Sequence, residues 1–407
     1  MSNKRNIGER FQYMGNWFSQ RNNKICILIV GVLFAAAILF AVALNQAAED
    51  EVPTSASQMV YEKAEVTAIL SDDAEADYEN AEGRRVGTQE LEIRILTGTH
   101  KDEIMRPTQI KFSSFLLNNC NVDLEKGDNI IVRIMTDENG AYYASVFNYD
   151  RGMVIGGFVL IFFVLLAVLG GKKGIGALLG LLFTLACVWF ILIPALIIGL
   201  PIIAVTVGII IITSVCALIL LNGISEKTWC AILGCVIGVI TAGAIAALVG
   251  HITPINGFNM SEAENLILYG ADKGLTISGL LVCGVLISAL GAVMDVALGI
   301  ASSVNELSLQ NHKAKAKELF RSGMNIGKDA MGTMANTLIL AFAGSSLNML
   351  ILVQTYDIPF RQLINTDYIC IEIIQSISGA MGILLTVPIV AFISARLMTR
   401  EKKRSLK

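Results

Sequence analysis

The stretch that decides the fold is Ser288–Leu307, "SALGAVMDVALGIASSVNEL", followed after a basic connection by Gly327–Gly344, "GKDAMGTMANTLILAFAG". Both segments are apolar enough to sit in a membrane, yet each carries a carboxylate, Asp295 and Asp329. A charge at the centre of a membrane helix costs roughly 2.5–3.5 kcal/mol on insertion scales, so ionisable groups at depth face protein or a water-filled cavity. Asp295 is therefore expected to be buried within a helix bundle and to mark the functional site.

The rest of the chain supports the membrane reading. Hydrophobic residues make up 54% and charged residues only 16%, and several apolar runs approach the roughly 20 residues needed to cross a bilayer. The first is Ile25–Leu44; seven more lie near Met153–Gly171, Gly174–Ile193, Pro201–Leu221, Trp229–Gly250, Ile277–Ile300, Ala330–Val353 and Cys370–Ala395. The expected fold class is thus a predominantly α-helical polytopic membrane protein of eight transmembrane helices. Residues 1–24 form a basic lead, 25–44 an anchor, 152–396 the seven-helix block and 397–407 a basic tail. "AVA" at Ala41–Ala43 resembles a signal-peptide cleavage site, but an apolar run of full spanning length favours an uncleaved anchor.

Between the anchor and the block, residues 45–151 change texture. They hold 21 of the 34 Asp and Glu residues but only 10 of the 31 Lys and Arg. The runs "AEVTAIL", "QELEIRIL", "TQIKFSSFLL", "DNIIVRIM" and "AYYASVF" each suit a short strand, with turn signals "EKGDN" and "DENGA" between them. Five such strands predict a small β-barrel or sandwich, OB-like in kind. Its acidic balance repels phosphate, so nucleic acid is not expected as a partner; a protein partner for this domain is.

Orientation follows from the basic residues of the connections. Lys172, Lys173, Lys227, Lys313, Lys315, Lys317, Arg321 and Lys328 fall on one side with the tail, against only Lys273 and Arg361 on the other. Both termini are therefore predicted to be cytoplasmic and residues 45–151 extracytoplasmic, in a multi-pass protein of the cell membrane. The basic connection "NHKAKAKELFRSGMNIGKD" reads as a separate helix lying on the anionic inner surface.

Polar residues are spaced as stripes. On the sixth span, Ser288, Ala292, Asp295, Gly299, Ser302 and Glu306 share one face. The seventh begins at Asp329, a position where a carboxylate suits the helix dipole, and continues with Thr333, Asn336 and Thr337. The eighth carries Glu372, Gln375, Ser376, Gly379 and Gly382 in its outer half. Small residues four apart, Gly176 with Gly180 and Gly234 with Gly238 and Ala242, suit close helix packing.

"GAVMDVALGIASSVNEL" (Gly291–Leu307), "GKDAMGTMANTLILAFAGSSL" (Gly327–Leu347) and "GILLTVPIVAFISA" (Gly382–Ala395) together resemble the YibE/F family of bacterial multi-pass membrane proteins. The resemblance extends to the layout of anchor, small external domain and membrane block. It departs at Asn348, where the family pattern leads one to expect proline. It implies an integral membrane protein and supplies no catalytic residue.

No phosphate-binding loop, nucleophile elbow or HExxH occurs, and the three histidines, His100, His251 and His312, are far apart. Neither an enzyme nor a metal or organic cofactor is expected. The reading favoured by the stripes is a secondary transporter or exporter of a small solute or ion, with a buried carboxylate on helix 6. Its candidate polar path is Asp295, Ser302, Glu306, Asp329, Thr333, Asn336, Glu372 and Gln375. The alternative is a scaffold or sensor whose external β domain binds a partner.

Overall fold

The computed structural model describes residues 21–49, 59–78, 83–105, 110–111, 122–136, 142–260, 263, 266–267, 277, 279–311, 314–356 and 358–405. The chain divides into two compact units, Val52–Leu165 and the remainder. Cys120, His312, Lys273 and most of the predicted strand "TQIKFSSFLL" lie outside the described residues.

The first unit is built on an unusually long strand, β1 (Met59–Asp72), whose beginning pairs with β7 (Asn129–Thr136) and whose end pairs with β4 (Gln89–Ile95). Register shifts between Val66 and Ala68 and between Ile69 and Ser71 bend it, as bulges do. Short β5 (Ile104–Met105) joins β4, and β8 (Tyr142–Tyr149) joins β7, all antiparallel. At the far edge β6 (Ile110–Lys111) adds parallel to β8, giving the order β5-β4-β1-β7-β8-β6. A separate ribbon pairs β2 (Glu75–Asp77) with β3 (Arg84–Val86).

The two edge strands are neighbours in sequence. Residues 105 and 110 can be at most roughly 18 Å apart along an extended chain, whereas six strands laid flat span about 24 Å. The sheet must curl, and β5 and β6 together act as one strand that links its two edges. This is the order and the parallel closure of an OB-type barrel, as the strand pattern predicted. Ala64, Val66, Leu91, Ile93, Ile95 and Ile130 fill the interior with no measurable exposure.

The second unit is helical. The first helix is α1 (Arg21–Glu49). Next comes α2 (Gly152–Cys187), whose residues Gly152–Leu165 group with the first unit and which continues through a π-helical turn at Val188–Leu192 into α3 (Ile193–Ile197). There follow α4 (Ile202–Asn222), α5 (Glu226–Ile252), α6 (Leu280–Gln310), α7 (Ala316–Ser345) and α8 (Leu347–Thr355). Short α9 (Phe360–Leu363) precedes the long α10 (Asp367–Ser405).

Among the described residues six helices are long and apolar enough to cross a membrane, or seven if the bent pair α7–α8 is one span. About eight spans were predicted, and this count differs because it takes the run Gly152–Ile197 as one helix. Two of them, near 153–171 and 174–193, fall in the single run Gly152–Ile197 of 46 residues, about 69 Å at 1.5 Å per residue and far longer than one crossing. That run is broken at Gly171, whose φ of 54° and ψ of −131° are not helical; a glycine adopts such an angle without strain. Beyond the break Gly174 lies against the carbonyl of Leu166, so a side chain there would collide with the backbone.

The seventh span is corrected. It does not begin at Asp329: α7 starts at Ala316, where the Glu318 carboxylate accepts a hydrogen bond from the Lys315 backbone N–H at 3.1 Å. The expected surface helix is therefore the first half of α7, held in place by the buried Leu319, Gly323 and Gly327 at four-residue spacing. Asp329 is consequently interior to a helix, and the dipole account of it fails. Nor does the span run unbroken to Val353, since α7 and α8 are bent by 60° at Ser346.

Glycines set how the helices meet. A methyl built on Gly382 of α10 would stand 2.6 Å from Ala242 Cβ and 3.2 Å from Gly238 O on α5, so these backbones touch. On Gly238 it would stand 2.9 Å from Val293 of α6. On Gly323 and Gly327 of α7 it would stand 2.9 Å from Val304 and 3.1 Å from Ile300, both on α6. The predicted pairs behave as packing positions too: Gly176 abuts the Leu220 carbonyl and Gly180 abuts Ala217 of α4.

Two predictions test these contacts. Gly327→Leu should lower stability by about 1–3 kcal/mol, the usual penalty of overpacking, read as a lower thermal midpoint in detergent; Gly208→Ala, with open space around it, should not. In the barrel, Arg85 Nη2 lies 2.7 Å from Asp72 Oδ2, and hydrogen bonding from Arg85, helped by the Ala74 amide, holds the Asp72 carboxyl below the usual carboxylate range. A depressed folded pKa contributes stability above the unfolded value of about 3.9 and loses it as pH falls below that value. Arg85→Met should therefore flatten the acid side of the barrel's pH–stability curve, followed by tyrosine fluorescence between pH 6 and 3.

Candidate functional site

Helix α6 presents two contrasting faces. Val293, Val296, Ala297, Ile300, Ala301 and Val304 are buried against the other helices. The opposite face carries Gly291, Asp295, Gly299 and Glu306, all exposed, with Ser288, Ala292 and Ser302 half-buried between them. A helix repeats every 3.6 residues, so this is one continuous stripe.

The sequence places Asp295 in the bundle interior, and the structure corrects this: Asp295 is not buried. The reason is packing. The interior is already filled by β-branched and small side chains that allow close helix contact, and turning α6 to bury the carboxylate would expose those residues and open the glycine contacts of α5 and α7. No candidate carboxylate is in fact buried. Glu306 and Asp329 are exposed and Glu372 is half-buried.

The stripe extends further than the sequence suggested. Gly284, two turns beyond Ala292 on the same face, lies under α10: a methyl on it would stand 3.2 Å from Gln375 Nε2. The same helix carries Glu372, whose Oε2 is shielded from solvent without a hydrogen-bond partner. Thus Gln375 meets one end of the α6 stripe, with Glu372 one turn away on its own helix, and Ser302 and Glu306 mark the other. From Gly284 to Glu306 the stripe covers about 33 Å, against roughly 30 Å of bilayer hydrocarbon.

Asp329, Thr333 and Asn336 are not part of this assembly. They are exposed on α7, which packs through Gly323 and Gly327 against Val304 and Ile300, behind α6 as seen from Asp295. Thr333 and Thr337 turn their hydroxyls to carbonyls of their own helix, donating to Ala330 O at 2.9 Å and Thr333 O at 2.8 Å. The predicted path is thus split into an α6–α10 stripe and a separate α7 stripe. The sequence reading missed Gly284, whose only signal is its place one helical repeat before Ser288, and Arg321, which was assigned to a connection.

Among the described residues no group of three or more His, Cys, Asp or Glu is placed to hold a metal ion. Hydroxyl–thiol pairs do join the buried helices, Thr206 Oγ1 to Cys283 Sγ at 3.0 Å and Ser214 Oγ to Cys235 Sγ at 3.6 Å. These satisfy polar atoms between helices and offer no open coordination site.

A multi-pass helical membrane unit with a polar stripe as long as the bilayer is thick, joined in sequence to a small OB-type barrel, defines the class of protein. The chain belongs to the YibE/F-like protein family, whose pattern matches residues 158–400, more than half its length. Comparison with curated proteins and with solved structures finds no match.

Labelling in intact membranes tests the exposure of the stripe. On a cysteine-free background, Cys at Gly299 or Ser302 should react with a water-soluble maleimide about tenfold faster than Cys at Val296 or Ile300, because a thiol reacts as thiolate and needs access to water. Equal rates on both faces would show that the stripe is dry.

Proposed function

We propose that this YibE/F-type membrane protein is a secondary transporter or exporter of a small polar solute or ion, with the α6 stripe as one wall of its path. The observation that carries this reading is the length of the stripe: polar or small residues occupy the same α6 face from Gly284, beneath Gln375, to Glu306. Packing alone does not require it. Alanine or glycine would serve the same contacts, whereas a carboxylate midway along a membrane helix is unfavourable by roughly 2.5–3.5 kcal/mol unless water or a partner meets it. Asp295 provides a negative charge midway along the path, and Glu372 provides one at its end. Lys172, Lys227 and the basic tail support an orientation with both termini cytoplasmic and residues 45–151 outside.

Flux in proteoliposomes provides the test. Asp295→Asn and Glu372→Gln should each reduce proton- or ion-coupled flux by about tenfold or more, as expected where intramembrane carboxylates carry coupling. Unchanged flux in both would discard the transporter reading.

A specific observation favours a second role for the barrel. Tyr61 and Phe147 stand edge to face on its outer surface, ring centroids 5.2 Å apart, and each is about half exposed. Exposed aromatic pairs of this kind are frequent anchors in protein interfaces. In that reading the domain binds an external protein partner, and the Tyr61→Ser/Phe147→Ser variant loses cellular function while retaining flux. Parallel loss of both would count against a separate binding role.

A further inference from the structure

Beyond its Gly284 end, which lies under Gln375, the α6 stripe is exposed or half-buried among the described residues. In the bilayer it must be covered, and the same chain carries a polar surface of matching depth, with the cation Arg321 at the level of Glu306. That surface is the outward face of α7, where Arg321, Asn325, Asp329, Gly332, Thr333 and Asn336 are all exposed. Steps of three and four residues from Arg321 through Asn325, Asp329 and Gly332 to Asn336, with Thr333 beside Gly332, make them one stripe.

The depths can be compared because α6 and α7 are in contact. Val304 lies at Gly323 and Ile300 at Gly327, while Ala289 and Leu338 both lie at Gly379. The two helices therefore run antiparallel in a fixed register, each residue down α6 matching one up α7. In that register Glu306 is level with Arg321, Ser302 with Asn325, Asp295 with Gly332 and Gly291 with Asn336. Lys328, also exposed, stands one turn from the depth of Asp295. Within one chain these pairs cannot meet, because α7 is on the far side of α6.

Between copies related by rotation about the membrane normal they can, since such a rotation preserves depth. Pairing α6 with α6 would set Asp295 against Asp295 and Glu306 against Glu306, like charges at the same level. Pairing α7 with α7 would set Arg321 against Arg321. Only α6 against α7 places a carboxylate opposite a guanidinium, Glu306 at Arg321; it also sets Asp329 one turn from the depth of Asp295, with the exposed Lys328 beside it, and the open glycines Gly291, Gly299 and Gly332 leave room, with nothing within 4 Å of a methyl built on them. Small residues of this kind let membrane helices approach, and among the described residues neither Glu306 nor Arg321 has an ion-pair partner within its own chain.

We propose that the chain assembles head to tail with further copies of itself, the α6 stripe of one copy covered by the α7 stripe of the next, so that the polar path is completed at the contact. A contact between two different surfaces closes into a ring when the rotation allows it. The proposal rests on the reading of the α6 stripe as a path, but its test does not use transport.

The experiment is disulfide cross-linking of the full chain in native membranes, on a cysteine-free background. Ser302→Cys combined with Asn325→Cys should give a ladder of covalent oligomers on oxidation, and either cysteine alone should give none. Glu306→Arg or Arg321→Glu added to that pair should reduce the cross-linked share about fivefold, roughly 1 kcal/mol at 1.4 kcal/mol per factor of ten, and the two reversals together should restore it. Dimers from Ser302→Cys alone would overturn the proposal in favour of α6–α6 pairing. An uncross-linked monomer in all variants, with the protein folded by size-exclusion, would overturn it in favour of lipid or another protein as the cover. Intact ladders with flux unaffected by both Asp295→Asn and Glu372→Gln would remove the transport reading and leave the assembly standing.

Discussion

The contact on which the membrane unit depends is that of Gly238 and Ala242 on α5 with Gly382 on α10. There the backbones touch, and 2.6 Å from a built methyl to Ala242 Cβ leaves no tolerance. Because α5 and α10 approach so closely, the groove between them accepts only one rotation of α6, with Val293 against Gly238 and Leu286 against Gly243. Dispersion and shape complementarity, rather than expulsion of water, hold helices together in lipid. The polar stripe is outside because the inside is committed to this fit.

That explains which parts of the molecule were legible in its sequence. The spans from Pro201 to Gly250 and from Ile277 to Ile300 were evident, since composition alone determines what dissolves in hydrocarbon. So were the strands of the barrel, because β-branched alternation between turn residues survives without knowledge of partners. The orientation of faces was not legible. The rule that charges at depth turn inward assumes that one chain contains the whole solvent-shielded assembly, and Asp295 faces the other way. Likewise the region around Lys315–Lys328 read as a surface helix because its charge is obvious, while the evidence for membrane-helix packing was three residues, Leu319, Gly323 and Gly327, four apart.

The barrel shows the complementary case. Its closure is forced by chain connectivity: β5 and β6 are too close in sequence for a flat sheet. Once β1 curls, alternate residues commit to the interior, with Ala64, Val66, Leu91 and Ile93 fully enclosed. The outer face is left with charged pairs such as Lys63 with Asp150 at 2.7 Å and Arg94 with Glu65. Pairs at a surface of this kind contribute little to stability, which leaves that face free to be shaped by whatever it meets. The acidic excess of residues 45–151 is therefore a statement about surroundings rather than about fold.

The two faces of α6 also separate what the fold needs from what it does not. Every residue on the inner face has a packing explanation, and removing one would leave a cavity or a clash. On the outer face neither applies: a methyl built on Gly291 or Gly299 would meet nothing within 4 Å, and Asp295 is exposed. Replacing Asp295 with alanine would remove an insertion penalty of a few kcal/mol without disturbing a single buried contact. A chain selected only for stability would not keep it. The carboxylate must meet water, a solute or another protein at that depth, and each of these lies beyond the boundary of a single folded chain.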